Sequence, residues 1–166
     1  LHQITKVGLE GTGNAEAATA WAKLTQQGPE VIVPILEAME GAGPLARNWM
    51  RSAVETVFDK QLNASTALPS ERIKSFFVDR TNEPNARSLA FDLYRRIDAE
   101  DADKVIPDFI DDPSPGLRRE AVAQLINKGR TLLDEDQKDE SIKVLRSALD
   151  AAREVDQIND IAELLR

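Results

Sequence analysis

Apolar residues recur along this chain at helical spacing almost everywhere. Segment 84–97 shows it most plainly. Ala86, Leu89, Ala90, Leu93, Tyr94 and Ile97 fall at i, i+3, i+4, i+7, i+8 and i+11, a single helix face. Segment 115–129 repeats the spacing with Leu117, Ala121, Leu125 and Ile126, and segment 136–152 with Ile142, Leu145, Ala148, Leu149 and Ala152. Further helices are predicted near 14–27, 29–40, 44–60, 69–79, 101–111 and 154–166. No stretch alternates apolar and polar residues between turns, so no strand is expected. The predicted fold class is all-α.

Proline and glycine divide these segments. Pro29, Pro44, Pro69, Pro84 and Pro115 stand where helical patterns start, the position at which a missing N–H costs least. Gly28, Gly41, Gly43 and Gly129 stand where patterns stop, as C-terminal caps would. The segments also alternate in kind. Val31-Ile32-Val33-Pro34-Ile35-Leu36 leads through a Gly-Ala-Gly-Pro turn to Ala46-Arg47. Ile73 to Val78 leads through Asn82-Glu83-Pro84 to Ala86-Arg87. Lys104 to Ile110, with Pro107 inside it, leads through Asp-Pro-Ser-Pro-Gly to Leu117-Arg118. Pro34 and Pro107 are 73 positions apart, two units of about 36 residues, within the period range of helical repeats.

A short helix carrying proline, an aspartate at the turn, then a small or apolar residue followed by arginine: this pattern resembles the HEAT repeat. The third unit matches best, with Pro107, Asp111 or Asp112, Leu117-Arg118, Ala121 and Leu125. The first keeps Pro34 and Ala46-Arg47 but has Glu40 for the aspartate, and the middle one keeps Asp79 and Ala86-Arg87 but has Ser75 for the proline. The resemblance covers roughly residues 29–129. It implies about three helical hairpins stacked in a right-handed α–α superhelix, an armadillo-type solenoid. On that basis residues 1–13 are expected to be a flexible entry segment and 14–133 the stack. Residues 134–166 are expected to form a divergent, tetratricopeptide-like helix pair packed on it.

Composition adds limits. The 166 residues are 42% hydrophobic and 30% charged but only 5% aromatic, a globular composition with aliphatic cores. The formal net charge of −8 disfavours phosphate backbones and anionic membranes, so no nucleic-acid partner is expected. No apolar run reaches the roughly 20 residues of a membrane-spanning helix. Cysteine is absent, which removes thiolate ligands and nucleophiles and fits cytoplasmic and exported locations equally. The start at Leu1 reads as a processed end or a piece of a longer protein.

Candidate chemistry is sparse. His2, the one histidine, is near the terminus and reads as a tail residue. With no second histidine and no cysteine, zinc, haem and nucleophile–histidine–acid sites are not expected. Gly8 to Gly13 lacks a P-loop lysine and a preceding strand, so it reads as an entry to a helix capped by Asn14. The acidic runs 98–103 and 134–140 lack the calcium-loop pattern and read as helix caps. Trp21 and Trp49 lie in apolar patterns and read as core. The HEAT resemblance implies that Arg47, Arg87 and Arg118 form a structural ladder with turn acids such as Asp79, Asp111 and Asp112. Arg51, Glu55, Asp92, Arg95 and Arg96, at polar positions further along the same helices, are the candidates for contact with a partner.

The expected function is a non-catalytic protein-interaction or scaffold module that holds a protein or peptide and uses no cofactor. An enzyme on a HEAT-like scaffold, similar to a DNA glycosylase or a lyase, is the alternative, as is an architectural spacer or dimerisation domain.

Overall fold

In the computed structural model, which describes all 166 residues, every regular element is helical. The chain divides into two compact units, Leu1–Asp98 and Ala99–Arg166. The first holds α1 (Asn14–Leu24), α2 (Ile32–Glu37), α3 (Pro44–Asn63), α4 (Ser70–Val78) and α5 (Pro84–Ile97). The second holds α6 (Ala99–Val105), α7 (Pro115–Asp134), α8 (Lys138–Ala151) and α9 (Val155–Leu164). All nine predicted helices are present, with ends moved by a few residues.

In the first unit α2 pairs with α3 and α4 with α5, each across a short turn, and α5 packs on both α2 and α3. The buried side is largely aliphatic on α2 and α3 (Ile32, Ile35, Leu36; Met50, Val54, Val57), with Phe58 of α3 also fully buried. It gains aromatics on α4 and α5, where Phe77 meets Phe91 edge-on at 5.5 Å and Tyr94 at 5.4 Å. Residues 1–13 carry two 3-10 turns, Ile4–Lys6 and Leu9–Gly11. Ile4 is fully buried, and its turn packs on α1 and α3. The start of α1 differs from expectation. Asn14 is its first residue, the cap position belongs to Gly13 at φ +77°, and no side chain caps it. A Cβ on Gly13 would stand 3.0 Å from the Lys6 carbonyl oxygen, so the glycine permits both the left-handed turn and a close backbone approach.

Pro34 and Pro107 lie where the helix changes type. The 3-10 turn Pro29–Val31 runs into α2, with Pro34 in the first turn of that helix. α6 runs into the 3-10 turn Ile106–Phe109, with Pro107 its second residue. The segments expected as single helices over 29–40 and 101–111 are therefore composite, and each proline sits where an i→i−4 donor is not required.

In the second unit α7 packs chiefly on α8, and α9 lies against both. Its core is Val122, Ile126, Leu145, Ala148, Ala152 and Ile161. Gly129, expected as a cap, is instead buried inside α7, which continues to Asp134. A Cβ there would lie 2.5 Å from Leu145 Cδ2 and 2.7 Å from its Cγ, so this glycine marks the closest approach of α7 and α8. Ser141 Oγ donates to the Gly129 carbonyl at 2.8 Å in the same contact. That contact turns α8: Ser141, Leu145, Ala148 and Ala152 are buried, whereas Ile142 and Leu149, expected on the apolar face, are 39% and 38% exposed.

An alanine at position 129 would gain about 1 kcal/mol of helix propensity, but it meets a fully buried leucine that has nowhere to move. Gly129→Ala is therefore expected to lower unfolding free energy by about 1–3 kcal/mol in urea melts. Combined with Leu145→Ala it should cost less than the two single changes added together.

Candidate functional site

The arginines that open the second helices reach in different directions. Arg87 is fully buried, and its Nε donates to the Phe77 carbonyl at 2.7 Å, at the end of α4. Asn82 Nδ2 donates to the neighbouring Phe76 carbonyl at 2.9 Å. Together they satisfy carbonyls that a helix end leaves unbonded. Asp79, in the same turn, accepts from the Thr81 hydroxyl at 2.7 Å and the Thr81 N–H at 3.0 Å. These bonds, with a smaller contribution from the Arg87 charge, hold its carboxyl below the usual value. Arg118 Nη1 donates to the Asp112 carbonyl at 2.9 Å, while the buried Asp112 carboxylate accepts from the Ser114 N–H at 2.8 Å. Asp111 is exposed beside them, on a groove with Arg118, Asp150 and Arg153.

Arg47 behaves otherwise. Its Nη1 lies 3.4 Å from Glu83 Oε1, which belongs to the next hairpin. Glu83 is the N-cap of α5, accepting from the Ala86 N–H at 2.7 Å and Asn85 Nδ2 at 2.8 Å. It was not among the sequence candidates. A glutamate directly before a helix-opening proline was the available signal, but glutamate is not a favoured cap residue. The Arg47 Nε is buried without a hydrogen-bond partner, as is Trp21 Nε1. Trp21 and Trp49 themselves are half-buried.

The five candidates for partner contact all lie on α3 and α5. Arg51 Nε pairs with Glu55 Oε1 one turn on, at 2.9 Å. Arg96 Nη2 bridges from α5 to Asp59 on α3 at 2.7 Å, with its guanidinium 4.8 Å from the Phe58 ring centroid. Asp92 and Arg95 are exposed on α5. Between the N-terminal turns of the two helices runs a groove of about 260 Å³ lined by Met39, Pro44, Arg47, Asn48, Arg51, Asn85 and Leu89. It brings Arg47 and Arg51 together. Asn48, Asn85 and Asp59 were missed, because their roles depend on α3 lying beside α5. A more open groove of about 390 Å³ is lined by Glu37, Glu71, Arg72 and Asp79, among others.

His2 is exposed, and its carbonyl accepts from the Thr5 hydroxyl at 2.9 Å. The acidic runs form local ion pairs, Glu100–Lys104 at 2.8 Å and Glu140–Lys143 at 3.2 Å. No group of three or more carboxylate or imidazole side chains is arranged to hold a metal ion. The second run does not cap α8 as expected: Gln137 holds the cap position without a side-chain bond, and Asp139 and Glu140 lie inside the first turn. There they complement the helix dipole without a capping bond. No helix is long and apolar enough to cross a membrane.

In the second unit, ion pairs Arg119–Asp156 and Arg130–Asp160 join α7 to α9. The Arg119 hydrogen bond is the main cause that draws the Asp156 carboxyl down to about 2 from an ordinary 3.8. No protein family, curated protein or solved structure matches this chain.

Arg87→Ala is expected to cost about 2–4 kcal/mol in urea melts, through a cavity and an unsatisfied carbonyl. Arg87→Lys should not restore it, because an ammonium lacks the planar Nε donor. Asp156 is lowered in the folded state, so its pair contributes stability above pH 3.8 and loses it as pH falls towards 2. The melting temperature of Asp156→Asn should lie slightly below that of the parent near neutrality, and the two should converge in strong acid.

Proposed function

We propose that this chain is a non-catalytic protein-interaction module built from HEAT-like hairpins, and that the exposed surface of α3 and α5 in the first unit is where a partner docks. The reading assigns the chain no catalytic step and no cofactor. Its main support is the groove between these helices. The groove combines two arginines and two amide side chains with the exposed Pro44, above a floor of buried Met39 and Leu89, the polar and apolar mixture by which protein surfaces recognise peptides. Further support comes from the surface beyond the groove. There the second helices expose Glu55, Asp59, Asp92, Arg95 and Arg96 on a frame kept rigid by the buried Phe77, Phe91 and Tyr94. The superhelical stacking of the hairpins belongs to the same proposal and rests on the repeated Pro34 and Pro107 units with their Ala46-Arg47, Ala86-Arg87 and Leu117-Arg118 openings.

The test is a photo-crosslinking residue placed at Asn48 or Asp92, with Ser147 in the second unit as control. A discrete adduct is expected from the first two positions in an extract of the source cells. Excess unlabelled parent chain should compete it away, and an Arg51→Glu, Arg96→Glu double variant should not. Capture that is equal at all three sites, or indifferent to the charge reversals, would count against the reading.

A further inference from the structure

We infer that the groove between α3 and α5 is a carboxylate subsite, which seats one aspartate or glutamate side chain of a partner polypeptide between Arg47 and Arg51. This rests on the interaction reading above and names the chemistry that the site selects.

Three observations point the same way. Pro44, Arg47, Asn48 and Arg51 fall at i, i+3, i+4 and i+7 of α3, so they form one continuous wall. Asn85 and Leu89, at i and i+4 of α5, form the other. Arg47 lines that space with a side chain that is 32% exposed, while its Nε is buried without a partner and is not open to the groove. Its Nη1 meets Glu83, which is only 8% exposed and already bound by the Ala86 N–H and Asn85. Glu83 therefore holds the Arg47 guanidinium in place and offers little surface to a competing cation. The Arg51 pairing uses Nε towards Glu55, on the far side of Arg51 from Arg47 along the helix, and the side chain stays 55% exposed.

The ligand class follows from these donors. A planar carboxylate accepts from guanidinium groups with good geometry, and Asn48 and Asn85 supply further amide donors at the rim. The volume, about 260 Å³, lies below the roughly 300–1,000 Å³ of sites that enclose a small molecule, which favours a side chain presented by a larger partner. The exposed Pro44 ring at the groove's end suits an aliphatic residue flanking the acid.

The experiment is an NMR titration of the isotope-labelled full chain with the capped peptide acetyl-Leu-Glu-Leu-amide. Its neutral counterpart acetyl-Leu-Gln-Leu-amide and the same neutral peptide with a free C-terminal carboxylate serve as comparisons. The glutamate peptide is expected to produce saturable shifts in the amides of residues 44–51 and 85–89. Added salt should weaken binding, and Arg51→Gln should weaken it about tenfold. Arg51 is the variant of choice because Arg47 also holds Glu83. Equal response to the capped neutral peptide overturns the carboxylate assignment while leaving an interaction groove. Preference for the free terminus overturns it in favour of a chain end. Shifts elsewhere, or none, overturn it outright. The crosslinking result then stands or falls by itself, since capture from Asn48 or Asp92 without peptide shifts leaves a docking surface of different chemistry.

Discussion

The α4–α5 hairpin depends on one contact, the bond from the buried Arg87 guanidinium to the Phe77 carbonyl. A helix that ends abruptly leaves carbonyls facing the interior, and burying them unbonded is costly. α4 ends this way at Val78, with Asp79 already extended. Arg87 supplies the donor and places a cation at the negative end of the helix dipole. Its long aliphatic stem is fully buried with it, and the carbonyl it binds belongs to Phe77, whose ring meets Phe91 and Tyr94. The hairpin turn, the helix end and the aromatic core are thereby tied to a single residue. Arg118 makes a looser version of the same contact, to the carbonyl of Asp112.

Arg47 occupies the equivalent place in its hairpin but turns towards Glu83 at the start of α5. A residue that elsewhere closes its own hairpin here connects two neighbouring ones. The consequence is a guanidinium held at the edge of a groove with one donor, Nε, left unsatisfied. The proposed binding chemistry grows out of this departure from a structural pattern.

Much of the fold was legible because helical periodicity is a local signal. The face Ala86, Leu89, Ala90, Leu93, Tyr94 is buried as read, and all nine helices were found. The failures came where two elements meet. Gly129 looked like a helix end, since nothing near it in sequence announces Leu145. Ile142 and Leu149 looked like core because they are apolar, but the close approach at Gly129 rotates α8 towards Ser141. The site shows the same division. Arg51 and Arg96 could be picked out as polar positions on second helices. The groove itself needed Asn48 of α3 and Asn85 of α5 to lie across from each other, which no spacing within one helix encodes.

The attachment of α9 has a consequence for motion. This helix buries Gln157 and Ile161, packs Ile158 and Leu164 partly against the same core, and donates from Gln157 Nε2 to the Arg119 carbonyl at 2.9 Å; it leaves Val155 72% exposed and adds exposed arginine–aspartate pairs to α7. Apolar burial holds α7 against α8 whatever the ionic strength, whereas pairs of this kind weaken as counterions accumulate around them. Undocking of α9 is therefore opposed by both kinds of contact, and only the ion-pair part of its cost is graded by salt. It would transiently bare the side of the core that Ile161 covers.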